Sequence, residues 1–426
     1  MGTIKLSTLA ETLIGSEIVR LGGVIKEKIK NGDFIYNYTI GDFDPSQFPI
    51  PALLEQEIKD AYKNGCTNYP AADGEPELRQ AVAGFLKKHE NLDYGTSEIL
   101  IAAGGRPLIY TAYRAIVDKG EKVIYPVPSW NNNHYTHFTE GEHIMIEATR
   151  ENNFMPTVDQ IRPHVKGASL LALCSPLNPT GTVFGKAELE DICDLVLEEN
   201  AERGEGEKKL YLLYDQIYWT LTYGDTVHYN PVSLRPEMKK YTVFIDGISK
   251  SFAATGVRVG WSMGPEELIS KMKAINSHLG AWAPMAEQKA TAKFLVQEEE
   301  VNKYLAGFKK ELEYRLRSIY DAFQELKTEG FAVDAITPQA AIYLTVQIDL
   351  AGKNAGGKTL FSQADVTEFI LNEAKLALVP FTCFGAKADN SWYRLSVGCC
   401  KKEEIEGMIR KLKNALMKIK EPELAN

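Results

Sequence analysis

Seven short apolar runs, rich in β-branched residues, alternate with helical stretches through the middle of the chain. Runs of this kind are buried on both faces when they form strands, and parallel strands need helices as crossovers. The alternation therefore predicts an α/β fold with a large, mainly parallel seven-stranded sheet between helices. The runs cover residues 99–102, 122–125, 144–147, 170–175, 210–215, 241–245 and 257–263, and the helical stretches include 107–117, 186–198 and 265–277.

The two ends of the chain carry a different pattern. Residues 16–30 have apolar side chains at helical spacing, and Asn31-Gly32 is a typical helix end. A long charged pattern at residues 300–329 is typical of an exposed connecting helix. Strands and helices follow in α+β order, which predicts a second, smaller domain after about residue 310. These elements are a strand at 342–348, a helix at 364–375, a strand at 393–397 and a helix at 401–420.

Charge and cysteine content exclude several classes of protein. The 426 residues carry 57 Asp and Glu against 48 Lys and Arg, a formal net charge of −9. Because nucleic acids and anionic membranes bind basic surfaces, we expect neither as a partner. The N-terminal segment lacks an apolar signal core and the apolar runs are too short to span a bilayer, so we expect the protein in the cytoplasm. The cysteines show no C-x-x-C spacing, and of His134, His137 and His143 only the first two share a short ligand spacing, so no metal site is predicted.

Residues 352–359 read G-K-N-A-G-G-K-T, which matches the phosphate loop of nucleotide-binding proteins. Two observations argue against that interpretation. The apolar run that ends in an Asp, Asp215, precedes the loop, whereas the magnesium-holding Asp normally follows it. Ser362 and Asp365 also form a capping box, which starts the next helix beyond Thr359 and moves its N–H groups away from the loop. We therefore predict a surface loop.

A stronger set of residues begins at Lys250, directly after an apolar run. A lysine is normally a solvated surface charge, but desolvation would lower its pKa and leave an amine able to form a Schiff base. Arg258 lies in another apolar run, where a cation needs an anion such as a phosphate. Asp215 ends the run Y-L-L-Y-D, either as a helix cap or as the partner of a buried cation.

Three further segments have both a structural and a functional interpretation. Asn178 stands between two prolines, which either form a rigid turn or aim its amide. Gly104-Gly105-Arg106 separates a strand from a helix that begins near Pro107, where backbone N–H groups and the arginine are able to bind a phosphate. Trp130 is either a core residue or a ring that stacks on a flat cofactor.

Together these segments resemble the class I/II aminotransferases, which are fold-type I pyridoxal phosphate (PLP) enzymes, and specifically the bacterial aspartate aminotransferase subgroup. The resemblance runs from Ser16 to Leu412. It implies PLP as cofactor, a homodimer, an N-terminal arm with part of the small domain at 1–45, a large PLP-binding domain at 46–310, and a C-terminal small domain at 311–426. Its motifs are Y-P-A-A-D-G-E-P-E-L-R-Q-A-V-A at 69–83, S-P-L-N-P-T-G at 175–181, D-Q-I-Y at 215–218, S-K-x-x-x-x-x-G-x-R-x-G from Ser249 and W-Y-R-L-S at 392–396.

The resemblance implies catalytic roles for three side chains. Lys250 would hold PLP as a Schiff base and, once released, move a proton between substrate and cofactor as base and acid. Asp215 would keep the pyridine nitrogen protonated, which makes the ring an electron sink. Tyr218, together with Asn178, would hydrogen-bond the ring's phenolic oxygen.

Binding roles follow from the same resemblance. Arg394 would grip the substrate α-carboxylate, helped by Asn178 and the backbone N–H of Gly41. Trp130 would stack on the cofactor ring and border the substrate. The phosphate cup would be formed by Gly104, Gly105, Arg106, Ser249 and Arg258, and completed by Tyr69 from the second subunit.

The implied reaction moves an amino group between an L-amino acid, aspartate or glutamate as the first choice, and a 2-oxo acid such as 2-oxoglutarate. The alternatives are an aminotransferase for aromatic or neutral amino acids, or a PLP-dependent carbon–sulfur lyase. Three features depart from the family pattern. Gly247 replaces a phosphate-binding Ser, residues 340–343 read A-A-I-Y in place of G-A-F-Y, and no arginine between Arg258 and Arg315 is available for a substrate side-chain carboxylate.

Overall fold

The computed structural model describes residues 5–420, so residues 1–4 and 421–426 of the predicted terminal segments lie outside the described residues. Its strands, in chain order, are β1 Tyr36–Asn37, β2 Ile99–Ala102, β3 Lys122–Val127, β4 Glu142–Glu147, β5 Ala168–Cys174, β6 Tyr211–Asp215, β7 Thr242–Gly247, β8 Gly260–Met263, β9 Val333–Ala335, β10 Tyr343–Ile348, β11 Asn354–Ala355, β12 Lys358–Thr359, β13 Leu376–Ala377, β14 Val379–Pro380, β15 Trp392–Ser396 and β16 Ile419–Lys420.

Helices separate most of these strands. They are α1 Thr8–Thr12, α2 Glu17–Lys30, α3 Ala52–Lys63, α4 Pro76–Glu90, α5 Gly105–Ile116, α6 Asn132–Phe138, α7 Val158–Ile161, α8 Lys186–Glu202, α9 Pro231–Leu234, α10 Ile248–Ser251, α11 Glu266–Leu279, α12 Met285–Leu295, α13 Glu298–Thr328, α14 Gln363–Phe369 and α15 Ile405–Leu416.

The large sheet has the strand order β2-β8-β7-β6-β5-β3-β4. Strand β8 runs antiparallel to both neighbours, and the remaining pairs are parallel. The predicted mainly parallel seven-stranded sheet is therefore confirmed. The apolar run at 257–263 is shorter as a strand than predicted, because Arg258 has a left-handed backbone with φ 62° and the strand begins only at Gly260.

Both faces of this sheet are covered by apolar side chains from the surrounding helices. Neighbouring residues such as Leu212 and Leu213 belong to opposite cores, as the alternation of side chains along a strand requires. Cys174 is the register partner of Asp215, which in turn pairs with Ile245. The carboxyl ends of β5, β6 and β7 therefore meet at one edge of the sheet, the usual place for a ligand site in an open α/β sheet.

A second core forms around the antiparallel sheet β14-β15-β10-β9. It combines side chains from the segment 36–48 with side chains from 308–416, so both ends of the chain contribute to it. Helix α13 connects the two cores, since Val301 packs in the core of the large sheet and Phe308 in the second one. The domain boundaries at residues 45 and 310 stay a prediction.

The phosphate-loop match at 352–359 forms a β-hairpin. Asn354 pairs with Thr359 and Ala355 with Lys358, and the turn residues Gly356 and Gly357 have φ of 59° and 96°. Two positive φ values in succession are what a tight hairpin turn needs. Helix α14 begins only after Ser362, whose hydroxyl accepts a hydrogen bond from the N–H of Asp365 at 3.2 Å. The segment therefore has no helix N-terminus with which to bind a phosphate.

Across residues 5–420 no helix is both long enough and apolar enough to cross a membrane. In the same range, no group of three His, Cys, Asp or Glu side chains is arranged to hold a metal ion.

Candidate active site

A cavity of about 500 Å³ lies at the carboxyl edge of the large sheet and extends to the antiparallel sheet. Its wall combines residues that are distant in sequence, including most of those that the motifs single out. The predicted site residues that line it are Gly41, Gly105, Arg106, Trp130, Asn178, Asp215, Tyr218, Ser249, Lys250, Arg258 and Arg394.

Lys250 lies in the short helix α10, directly after β7. Its Nζ donates a hydrogen bond to the backbone carbonyl of Gly41 at 2.6 Å. Burial lowers the pKa of Lys250 from 10.5 to about 8, and nearby Arg394 and Arg106 act in the same direction, whereas Asp42 opposes them. Roughly a tenth of the amine is therefore unprotonated, and nucleophilic, at pH 7, far more than for an ordinary lysine.

Asp215 ends β6 at the cavity wall. Its Oδ1 accepts a hydrogen bond from the N–H of Ile217 at 3.1 Å, so the carboxyl group does cap the following turn. Burial raises the pKa of Asp215 from 3.8 to about 6, and the N–H of Ile217 lowers it by a smaller amount. The carboxyl group is thus mostly ionised at neutral pH, although it pays a desolvation cost that a cation would offset.

Arg394 lies in β15 and is only 2% exposed. Its Nη1 donates to Asn178 Oδ1 at 3.0 Å and its Nη2 to the carbonyl of Thr39 at 2.7 Å. The guanidinium also lies 4.6 Å from the centroid of the Tyr343 ring. Within the described part of the chain it has no carboxylate partner, and its buried Nε has no hydrogen-bond acceptor. A buried cation in this state favours binding of an anion.

The glycine turn before α5 packs directly against Arg258. Gly104 has φ 85°, and a Cβ there would lie 2.8 Å from Arg258 Cζ. The guanidinium is held by the carbonyls of Ala103 at 2.7 Å and Thr255 at 2.6 Å. Burial and, less strongly, Arg106 lower the pKa of Arg258. The helix begins at Gly105, two residues earlier than predicted. The N–H groups of its first turn have no partner within the helix, and they lie next to the Arg258 guanidinium.

Arg106 and Trp130 contact each other across the cavity wall. The Arg106 guanidinium carbon lies 4.6 Å from the centroid of the Trp130 ring, a cation–π distance. Among the residues that the structure describes, Arg106 has no ion-pair partner. One face of Trp130 therefore serves as a platform for a free guanidinium, which still has all its hydrogen-bond donors available to an anion.

Tyr218 and Ser249 also reach the cavity. The Tyr218 hydroxyl lies 2.6 Å from the hydroxyl of Tyr343. Ser249 is 7% exposed and lines the wall. The Ser that many family members carry at position 247 has no room here, because a Cβ on Gly247 would lie 2.8 Å from the Cα of Gly260.

Tyr69 lies outside this cavity. It is 83% exposed and packs edge-to-face on Trp282, with ring centroids 5.4 Å apart. Near it, Gln288 is buried and accepts a hydrogen bond from the N–H of Glu75 at 2.8 Å, which is a structural contact.

Sequence reasoning missed several residues of the cavity wall, including Ile18, Asp42, Asn132 and Tyr343. Asn132 is held by the Tyr113 hydroxyl, which donates to its Oδ1 at 3.0 Å. Its position two residues after Trp130 is the one sequence feature that connects Asn132 with the predicted site. Tyr343 lies in the unusual segment 340–343, and no local pattern links it to its hydroxyl partner Tyr218, which is 125 residues away in the sequence.

Comparison with known proteins gives concordant matches over nearly the whole chain. Residues 36–412 match the family model of the aminotransferases of class I and II. The aspartate aminotransferase of Bacillus sp. (strain YM-2) is 30% identical over 386 residues, which cover 89% of this chain and 92% of that protein.

Solved structures match as well. That of an aspartate aminotransferase from Rhizobium meliloti superposes with a TM-score of 0.88 at 24% identity, covering 98% of this chain and all of that one. The Thermus thermophilus aspartate aminotransferase with maleate superposes with a TM-score of 0.85 at 25% identity, covering 97% of this chain and 100% of that one.

Proposed function

Because the chain belongs to the class I and II aminotransferases and is a PLP-dependent transaminase, we propose that its cavity binds PLP and prefers aspartate or glutamate as amino donor. The acceptor is a 2-oxo acid such as 2-oxoglutarate. One observation carries this proposal: the Lys250 amine, the Asp215 carboxylate and the Arg258 guanidinium line a single cavity of about 500 Å³. That volume lies within the range of small-molecule sites.

The donor set fits each functional group of PLP. A lysine amine with a lowered pKa suits an aldehyde, and a buried carboxylate suits a pyridinium nitrogen. The hydroxyl of Tyr218 and the amide of Asn178 suit the phenolic oxygen. The free N–H groups at the start of α5, with Arg258 beside them, suit a phosphate.

PLP, when bound, withdraws electrons from the bonds around the substrate's Cα. Lys250 Nζ, whose pKa is lowered to about 8, would take the proton from that Cα as a general base and then, carrying that proton, would serve as the general acid. Asp215 would pair with the pyridine nitrogen in its protonated form, since a cationic partner would lower the carboxyl pKa below its value without the cofactor.

Arg394 orients the substrate by its α-carboxylate. Two of its nitrogens already have partners, Asn178 and the carbonyl of Thr39, which fix the plane of the guanidinium. A planar fork held in this way binds a carboxylate through two parallel hydrogen bonds. Gly41 lies beside this guanidinium, since a Cβ on that residue would be 3.6 Å from Arg394 Nη1, and its backbone N–H is assigned to the same carboxylate.

The phosphate cup is assigned to Gly104, Gly105, Arg106, Ser249 and Arg258, with Tyr69 supplied by a second copy. The exposure of Tyr69 in one chain supports this arrangement, because a large aromatic side chain that is 83% exposed is more favourably placed in an interface. A homodimer with shared sites is therefore part of the proposal.

Arg106 supports a substrate with a second carboxylate. Arg258 is committed to the phosphate and Arg394 to the α-carboxylate, which leaves the guanidinium on Trp130 for either anion. In addition to its part in the phosphate cup, Arg106 would then compensate for the absence of an arginine between Arg258 and Arg315. The names of the Bacillus relative and of the Thermus structure, which was solved with the dicarboxylate maleate, agree with this preference.

A preference for aromatic or neutral amino acids is the second candidate. Ile18 of α2 lines the cavity and packs in the same apolar cluster as Trp130, which would favour an apolar substrate side chain.

A half-reaction screen separates the two candidates. Each amino acid is added alone to the PLP-loaded protein, and the spectral change of the cofactor is followed. Aspartate and glutamate are expected to react fastest. Because Arg106 is also assigned to the phosphate cup, Arg106→Gln is expected to slow every amino acid, and to slow aspartate and glutamate about tenfold or more beyond its effect on phenylalanine. Faster reaction with phenylalanine or leucine would establish the second candidate, and release of pyruvate and ammonia without an acceptor would indicate a lyase.

A further inference from the structure

Tyr343, at the start of β10, forms a hydroxyl pair with Tyr218. The two oxygens are 2.6 Å apart, and each side chain is 2% exposed. The rings also meet edge-to-face, with centroids 5.5 Å apart. No motif assigns a role to Tyr343, yet its hydroxyl contacts the one that we place on the cofactor.

The surroundings of Tyr343 leave its hydroxyl little freedom. A Cβ on Gly41 would lie 2.8 Å from the Tyr343 oxygen, so the hydroxyl occupies the space that a side chain at position 41 would need. The backbone of Tyr343 pairs with Ser396 of β15, two residues from Arg394. Both the ring and its hydroxyl are therefore fixed between the cofactor side and the substrate side of the cavity.

The ring of Tyr343 has a separate contact. The guanidinium carbon of Arg394 lies 4.6 Å from its centroid, which is a cation–π distance in a buried setting. The ring thus supports the group that binds the substrate carboxylate, while the hydroxyl contacts Tyr218.

The number of hydroxyl protons on Tyr218 and Tyr343 determines which hydrogen bonds the pair can donate. Burial raises the pKa of Tyr218 and of Tyr343, so both phenols keep their protons at neutral pH. One of the two protons forms the hydrogen bond between the two oxygens, and the other is available for donation to an acceptor outside the pair. If Tyr218 is to donate to a phenolic oxygen of the cofactor, its own oxygen must accept the proton of Tyr343.

We infer that Tyr343 is a positioning residue which, by donating its hydroxyl proton to Tyr218, directs the proton of Tyr218 onto the phenolic oxygen of the cofactor. This inference rests on the proposed function. A donor that itself accepts a hydrogen bond is a stronger donor, because the bonds in such a chain polarise one another. Tyr343 therefore tunes the cofactor without touching it.

The test is a pH titration of the visible absorption of the PLP-loaded protein. A hydrogen bond to the phenolic oxygen draws charge from it and weakens its hold on the neighbouring proton. Tyr343→Phe, which keeps the ring and removes the hydroxyl, is expected to raise the titration midpoint by about 0.5–1 pH unit. Binding of maleate, which reports on Arg394, is expected to change less than about twofold.

Tyr343→Leu separates the two contacts. It removes both hydroxyl and ring, so it is expected to raise the midpoint equally and also to weaken maleate binding about three- to tenfold. Gly41→Ala is expected to raise the midpoint as well, since the new methyl group displaces the Tyr343 oxygen. This second route tests the inference if the Tyr343 variants fail to fold.

Tyr125→Phe is the matched control. It also removes one buried hydroxyl, whose partner is His143 at 2.8 Å, and it does not line the cavity. Its midpoint is expected to equal that of the wild type. An unmoved midpoint in Tyr343→Phe, or an equal shift in Tyr125→Phe, would overturn the inference and leave the proposed function intact. A wild-type protein that shows no cofactor absorption would overturn both.

Discussion

Two glycine-rich connections of this chain invite the same interpretation and differ in structure. Residues 352–359 match a phosphate-loop motif in full, whereas Gly104-Gly105-Arg106 is a weak signal by itself. The full match forms a hairpin between β11 and β12. The weak one opens helix α5 with Arg258 packed against it. An anion site needs free N–H groups at a helix start and a cation beside them, and the letters of a motif specify neither.

The two glycine-rich connections also differ in what surrounds their glycines and their lysines. A Cβ on Gly104 would meet the Arg258 guanidinium, whereas nothing lies within 4 Å of a Cβ on Gly356 or Gly357. The lysines differ likewise. Lys358 is exposed on the hairpin, and Lys250 is held by the carbonyl of Gly41 inside the cavity.

The largest expected difference is between the two lysines. Lys250→Ala is expected to remove the cofactor's absorption band and to lower the transamination rate by about 10³-fold or more, because both the amine that binds PLP and the base are lost. Lys358→Ala is expected to leave both unchanged. The checks are an absorption spectrum after PLP addition and a coupled rate assay. ATP binding that Lys358→Ala abolishes would instead revive the nucleotide-binding interpretation of the hairpin.

Alanine at the two turns gives the next largest difference. Gly104→Ala places a side chain against Arg258 at a residue with φ 85°, and it is expected to weaken PLP binding about 10- to 100-fold. Gly356→Ala, at φ 59° with open space around it, is expected to cost about 1 kcal/mol of unfolding free energy and to leave PLP affinity unchanged. Titration with PLP and denaturant unfolding measure the two effects. Equal PLP affinities in the two variants would contradict the assignment of the cup.

The smallest expected effect concerns pH. Burial lowers the pKa of Lys250 from 10.5 to about 8, so between these values the unfolded chain binds a proton that the cofactor-free folded chain does not. The contribution of Lys250 to the free energy of unfolding therefore rises with pH between about 8 and 10.5. Below pH of about 8 this contribution is at its lowest. Lys250→Met is expected to be more stable than the cofactor-free wild type at pH 7 by about 2 kcal/mol, with the gap closing near pH 10.

Urea unfolding of both cofactor-free proteins at the two pH values measures this gap. Lys358→Met, which removes an exposed lysine, is the control and is expected to change stability by no more than about 0.5 kcal/mol. A Lys250→Met protein that is less stable than the wild type at pH 7 would mean that the buried amine is not destabilising.

Most of the fold was predictable because the signals that define it are local. Apolar runs and helical spacing gave the strands of the large sheet, and the capping box at Ser362 gave the start of α14. Pairings between distant segments were not predictable. Strand β1 pairs with β13, Tyr36 opposite Leu376, and a pair of such short strands leaves no periodic pattern in either segment.

The residues of the site likewise divide into those that a local sequence pattern indicates and those that it does not. Lys250 and Asp215 stand at the ends of apolar runs and Arg258 stands within one. A charged residue is conspicuous in such places, so the sequence indicated all three. Tyr343 stands inside an apolar strand, where a tyrosine is ordinary. Its contact with Tyr218 depends on how β10 packs against the end of β6, which no local pattern encodes.

By itself, therefore, the sequence determined the α/β class and the kinds of side chain available for chemistry, since periodicity and residue type are properties of a single stretch of chain. The tertiary structure alone decided which glycine-rich turn meets a cation, how far the Lys250 pKa falls, and which hydroxyl supports Tyr218. Desolvation and close approach depend on atoms that come from distant segments, and only folding brings those atoms together.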